Sequence, residues 1–147
     1  MRLLGTPFKE RYASLSPDGR WIAYTSDEGG RLHVYVQAFP SSDRKWQVSI
    51  VSSRNNAYPR WRPDGKELFY DSGGTMTAVD LIGTQPGGEL KASAPQELFR
   101  GLMGGLPPHN YDVTPGGRRF VIVSGQDLGA GPSPIVVVMN WTSGLTP

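Results

Sequence analysis

Two Pro-Asp-Gly triplets place carboxylates, Asp18 and Asp64, at the tips of short loops, where an oxygen ligand for a hard cation can be presented. Neither has a second carboxylate or a histidine at ligand spacing. A third copy of the turn, Thr114-Pro115-Gly116-Gly117, replaces the aspartate with glycine. A residue that one copy omits is not needed by every unit, so both aspartates read as turn residues. Proline presets the first central φ, aspartate can bond a nearby backbone N–H, and glycine takes the positive φ that follows. With Gly116 in the aspartate position, the third turn is free to adopt type II geometry.

Other chemistry is sparse. No G-x-S-x-G elbow is present for a serine hydrolase, and only His33 and His109 could act as a base. His33 alternates with apolar residues in "RLHVYV" and reads as a sheet residue. His109 follows Pro107-Pro108 on a loop, and one such histidine is a weak metal ligand set. Asp27-Glu28 sits in a hairpin loop and Asp80 ends a strand, neither with an acid–base partner nearby in sequence. With no cysteine there is neither a disulfide framework nor a thiolate site. Asn140-Trp141-Thr142 matches a glycosylation acceptor, but its strand placement makes it incidental. These residues support neither catalysis nor a cofactor.

The elements that position them follow from the repeat. The three turns recur roughly 50 residues apart, each followed by a basic residue (Arg20, Lys66, Arg118) and an apolar run ending on Ser26, Ser72 or Ser124. Alternation predicts four strands in the first unit: "RYASLS", "RWIAYTS", "RLHVYVQAF" and "KWQVSIVSS". The second reads "YPRWR", "KELFYDS", "TMTAVDLI" and, after a Pro/Gly-rich insertion, "PQELFRGL". The third has "NYDVT", "RRFVIVSG" and "SPIVVVMNW". Four-stranded units of this period point to an all-β chain of β-propeller blades. The four Trp (Trp21, Trp46, Trp61, Trp141) fall in strand-like runs and suit blade packing.

At this level the chain resembles the TolB-like propeller repeats, with their S-P-D-G-x-x-I-A-Y pattern. It is most similar to the propeller that follows the membrane anchor in many bacterial Ser/Thr kinases, through "WQVS", "PRWRPDGKELFY", "YDVTPGGRRF" and "NWTSGL". The resemblance implies the last half of a six-bladed ring and an extracytoplasmic sensor, although kinase motifs and anchor are absent from this chain. "RLLGTPFKE" reads as the outer strand of a preceding blade. The phase is then d-abcd-abcd-abc, with an outer strand in 1–10, blades in 11–56 and 57–106, and in 107–147 a blade without its outer strand. Three blades do not close a ring. Two chains exchanging that strand would make a six-bladed homodimer; the alternative is a piece of a longer propeller.

The chain has 147 residues, enough for one domain, and 19 Gly with 13 Pro suit many short strands joined by turns. A formal charge of +2 with scattered basic residues gives no nucleic-acid footprint. No run approaches membrane-spanning length, and the apolar patch in "MRLLGTPFKERYA" is too short for a signal-peptide core. As written the chain reads as soluble and unexported, or as one that has lost an upstream segment. First strands of blades line a propeller channel, so Ser14, Arg60 and Asp112 should form a polar ring, with Leu15, Trp61 and Val113 apolar beside them. Arg11, Tyr12, Tyr58, His109 and Asn110 would stand at its entrance, a mixture suited to a protein, peptide or glycan. A non-enzymatic binding scaffold is thus the first expectation, and a lyase or hydrolase with a channel site the second.

Overall fold

The computed structural model describes residues 6–40, 44–50, 54–82, 90–102, 111–123 and 135–139. All the regular structure in them is strand. The first sheet runs β1 (Glu10–Leu15), β2 (Trp21–Ser26), β3 (His33–Ala38) and β4 (Lys45–Gln47), each antiparallel to the next. The second holds β5 (Asn56–Trp61), β6 (Glu67–Ser72), β7 (Thr75–Ile82), β8 (Lys91–Ala92) and β9 (Gln96–Arg100); both β8 and β9 pair with β7. The third is β10 (Tyr111–Val113), β11 (Arg119–Val123) and β12 (Ile135–Met139). Residues 1–5 lie outside the described set, and 6–9 lead into β1 without strand structure.

The three turns share one geometry. Gly19, Gly65 and Gly117 sit at φ 69°, 72° and 67°, and their N–H groups donate to the carbonyls of Ser16, Arg62 and Thr114 at 2.9, 2.8 and 2.8 Å. Gly116 is not among the residues of positive φ. The type II geometry open to the third turn is therefore not used: the same glycine position takes the left-handed conformation in all three, and the aspartate is dispensable because the backbone already closes the hairpin. Where aspartate is present it reinforces the loop, with Asp18 Oδ1 accepting from the Ser16 hydroxyl at 2.6 Å and the Arg20 N–H at 3.1 Å. In the second turn Arg62 replaces the serine and forks onto both Asp64 oxygens at 2.8 and 2.6 Å, while reaching Glu67 at 2.7 Å.

Strand alternation decides what packs between sheets. Trp21, Ala23, Val34 and Val36 of the first blade meet Leu68, Tyr70, Val79 and Leu81 of the second in one core. The opposite face of the second blade, Phe69, Met76 and Ala78, meets Tyr111, Phe120 and Ile122 of the third in another. Phe69 and Phe120 cross edge to face at 4.9 Å and 90°. Leu68, Phe69 and Tyr70 are fully buried, and side chains of this kind contribute about 1.5–3 kcal/mol each on burial. The second sheet is thus a slab with a core on each face. Its inner strand is also stitched to its neighbours: the Trp61 indole donates to the Ser14 carbonyl at 3.0 Å, and the Tyr111 hydroxyl to the Tyr58 carbonyl at 2.6 Å.

Candidate binding site at the inner strands

The first strand of each sheet carries the positions expected to face a channel, and the register makes them equivalent. Ser14 pairs with Ala23, Arg60 with Phe69 and Asp112 with Val121. Ser14 and Arg60 are half-buried and Asp112 is exposed. Arg60 Nη1 donates to the Pro59 carbonyl at 3.1 Å, and Asp112 Oδ1 accepts from the Val113 N–H at 2.8 Å.

Ahead of these positions both complete inner strands carry a bulge. The register slips between Arg11 and Ser14 on β1 and between Ala57 and Arg60 on β5. Inside each slip stands a tyrosine in the left-handed region, Tyr12 at φ 57° and Tyr58 at φ 59°. For a bulky L-residue that conformation costs on the order of 1–3 kcal/mol, so the surrounding structure must impose it. The two rings meet at 4.3 Å between centroids, tilted by 42°. Tyr58 is buried, and desolvation, with the hydrogen bond and charge of Tyr12, pushes its hydroxyl up to about 12. Arg11, exposed and paired in register with Thr25, precedes Tyr12. His109 and Asn110 lie outside the described residues.

The other chemistry-bearing residues serve the fold. His33 is buried at the start of β3, its Nδ1 within 3.4 Å of the Ser49 hydroxyl and 3.5 Å of the Asn56 amide nitrogen, and burial lowers its pKa. Asp64 is held down to about 2 by Arg62, and Asp18 is lowered first by the Ser16 hydroxyl. Burial pushes Glu67 up against the opposing pull of Arg62. Asp27 accepts the Lys9 backbone N–H at 2.9 Å, and Glu28 pairs with Lys45. Trp21 is buried edge-on to Trp46, and Trp61 is buried in the seam between blades. Among the described residues no three His, Cys, Asp or Glu side chains converge as a metal site would require. Sequence reasoning found both tyrosines but not their backbone state, whose one available signal is their equal offset ahead of Pro17 and Pro63.

No family model matches this chain, and no curated protein matches it. Solved structures do. A "putative 6-phosphogluconolactonase" from Bacteroides uniformis superposes with a TM-score of 0.58 at 19% identity, covering 97% of this chain and 39% of that one. A "putative TolB" from Agrobacterium tumefaciens gives 0.47 at 18% identity over 67% of this chain and 37% of the other. TolB from Acinetobacter baumannii gives 0.43 at 14% identity over 93% and 42%. The chain spans about two fifths of the length of these structures. Likeness at these identities concerns the fold. Successive antiparallel sheets, wound from inner to outer strand and packed face against face with β1 beside β5, make the chain three blades of a β-propeller.

Proposed function

We propose that the chain is a non-enzymatic binding scaffold that completes a six-bladed ring by pairing with a second copy of itself. The observation that carries this reading is a mismatch between equivalent positions. Trp61, backed by the first blade, is 7% exposed, whereas Leu15 at the same place in the first blade is 51% exposed. Phe69, backed by the third blade, is fully buried, whereas its equivalent Val121 is 37% exposed. The two outer blades thus present apolar positions that the inner seams cover, and a second copy of the chain supplies complementary faces. Apposing the third blade of each copy to the first blade of the other gives a closed two-fold ring. Each such seam would be comparable to a standard interface of roughly 800 Å² per partner.

The mouth of that ring is the binding site in this reading, with Arg11, Tyr12 and the Ser14, Arg60 and Asp112 positions facing a peptide or glycan, while Tyr58, buried in the core, backs Tyr12 instead of meeting the ligand. Support comes from two strained tyrosines at equivalent bulges, a cost expected where a surface has work to do. Light scattering on the chromatographed protein tests the assembly: about 32 kDa, twice the 16.0 kDa chain, is expected, and a well-behaved monomer would overturn it. A sensor propeller of a membrane kinase is the same module within a longer protein, supported by the motif resemblance. The likeness to a protein named as a lactonase raises a hydrolytic second reading, which predicts acid release from a sugar lactone in a pH-stat assay.

A further inference from the structure

We infer that His33 is a proton-operated latch between the first and second blades: a neutral imidazole holds the seam shut, and taking up a proton opens it. The latch lies within one chain, so it stands or falls independently of the ring proposed above. His33 begins β3 and is buried, and its Nδ1 is 3.4 Å from the Ser49 Oγ and 3.5 Å from the Asn56 Nδ2. The Ser49 oxygen already accepts the Val34 N–H at 2.9 Å, which leaves its own proton to donate. The Asn56 Nδ2 is a donor only, and it also faces the Ile50 and Arg54 carbonyls at 3.4 Å each. Both neighbours therefore present protons to Nδ1, which must be the accepting nitrogen of a neutral ring. A methyl built on Gly29 would stand 3.1 Å from His33 Cδ2, so the β2–β3 loop closes on another edge of the ring.

Asn56 is the part with two settings. Fully buried, it ties the blades through its N–H, which donates to the Leu32 carbonyl at 2.9 Å, while its side chain holds Ile50 and Arg54 on the connection between β4 and β5. Its Oδ1 accepts nothing among the described residues. A proton on His33 Nδ1 needs an acceptor, and turning the Asn56 amide over supplies that idle oxygen. The same turn sets the oxygen against the two carbonyls that the nitrogen had bonded, and the seam loses its tie. Among the described residues no carboxylate bonds the ring to offset its charge. On the β2–β3 loop Asp27 takes the Lys9 N–H and Glu28 pairs with Lys45, and Glu10 on β1 bonds the Thr6 hydroxyl. Arg31 in that loop is exposed, Arg54 ahead of β5 pairs with Glu97, and β2 and residues 48–50 carry no charged side chain. The Tyr35 hydroxyl, which shares the Gly29 edge, is pushed up to about 12 and stays neutral. Burial lowers the His33 pKa, so its contribution is complete above the ordinary value of 6.5 and is lost as pH falls below it. Tyr12 and Tyr58 meet across the same seam, so its release would also part the pair at the mouth, a consequence that alone rests on the binding reading above.

Hydrogen exchange followed by NMR on the full chain at pH 7 and pH 5, corrected for intrinsic rates, tests this. The opening equilibrium read at the Asn56 N–H should rise at least about fivefold, with a ceiling of about 25-fold if the released ring titrates at 6.5 and the held one takes no proton. Amides of the β2–β3 ladder should keep their protection. The His33 ring signals, told apart from those of His109 with a His109→Gln variant, should titrate below 6.5. His33→Gln keeps an accepting atom and takes no proton, so its Asn56 N–H should be equally protected at both pH values; should that variant not fold, the parent's titration and exchange decide alone. A His33 that titrates at 6.5 or above, no change at Asn56, equal loss along the ladder, or a His33→Gln protein that opens as its parent does would overturn the inference.

Discussion

Replacing Tyr111 with phenylalanine isolates one hydrogen bond in the seam between the second and third blades. The Tyr111 ring is 4% exposed and belongs to the core that joins those blades, and its hydroxyl donates to the Tyr58 carbonyl at 2.6 Å. Phenylalanine keeps the ring contacts and removes only the donor. The carbonyl left behind belongs to a buried residue at φ 59°, so water reaches it poorly and the loss should approach the cost of stranding a buried acceptor, about 1–3 kcal/mol. For a domain of this size that is a fall in melting temperature of roughly 3–10 °C. Tyr35→Phe serves as the comparison, because its hydroxyl donates at 3.3 Å to the exposed Gln47 side chain, where water can take its place, and should matter by less than about 1 kcal/mol. Urea unfolding at one fixed protein concentration is the assay, since association would otherwise move the midpoint. A Tyr111→Phe protein as stable as its parent would show that the phenol does not hold the seam.

Three further outcomes follow from the same geometry. Alanine at Gly65 should cost about 1 kcal/mol, for positive φ alone, because a methyl there meets nothing nearer than Pro17 at 3.7 Å. Alanine at Gly117 should cost about 2 kcal/mol or more, since its methyl would fall 2.6 Å from Arg62 Cγ and displace the fork on Asp64; equal midpoint shifts would refute the turn-on-turn packing. Asp64 is depressed in the folded protein, so its contribution is present above its ordinary value of 3.8 and is lost as pH falls toward about 2. Its side chain is 44% exposed, which screens the effect to under about 1 kcal/mol, and Asp64→Asn should flatten that part of the acid unfolding curve. Burial raises the tyrosine hydroxyls of the core, Tyr35 and Tyr58 to about 12 and Tyr24, Tyr70 and Tyr111 also upward. That stabilisation is complete below pH 10 and lost as pH rises through the folded values, so phenolate absorbance should appear together with unfolding, and ordinary titration near pH 10 would contradict it.

The turn prolines and glycines carry nearly all that was legible about the fold, because a left-handed glycine at one fixed offset dictates where each hairpin reverses. The run "TMTAVDLI" coincides with β7 for the same reason that it alternates: it is buried between two cores, with Met76 and Ala78 on one side and Val79 and Leu81 on the other. The outer strands were harder to see. Among its described residues "KWQVSIVSS" pairs with β3 over Lys45–Gln47, because the Val34 carbonyl takes the N–H groups of both Val48 and Ser49 and draws the chain off the ladder. The pairing of Lys91–Ala92 with the end of β7 was not expected, since two residues are too few to show a period. Of the site, the identities of Tyr12 and Tyr58 were readable from their place beside the turns, but no residue type announces a tyrosine at positive φ.

The two inner-seam hydrogen bonds have a further consequence. Both acceptors are backbone carbonyls of a preceding inner strand, but the donors differ: an indole at Trp61 and a phenol at Tyr111, which do not occupy equivalent repeat positions. The blades look interchangeable in outline, yet each seam has its own lock and key. Transposing two blades would bury a donor opposite the wrong partner, at about 1–3 kcal/mol for each stranded group. The order of the units is therefore written into the protein's polar atoms, and an engineered shuffle would have to move donor and acceptor together.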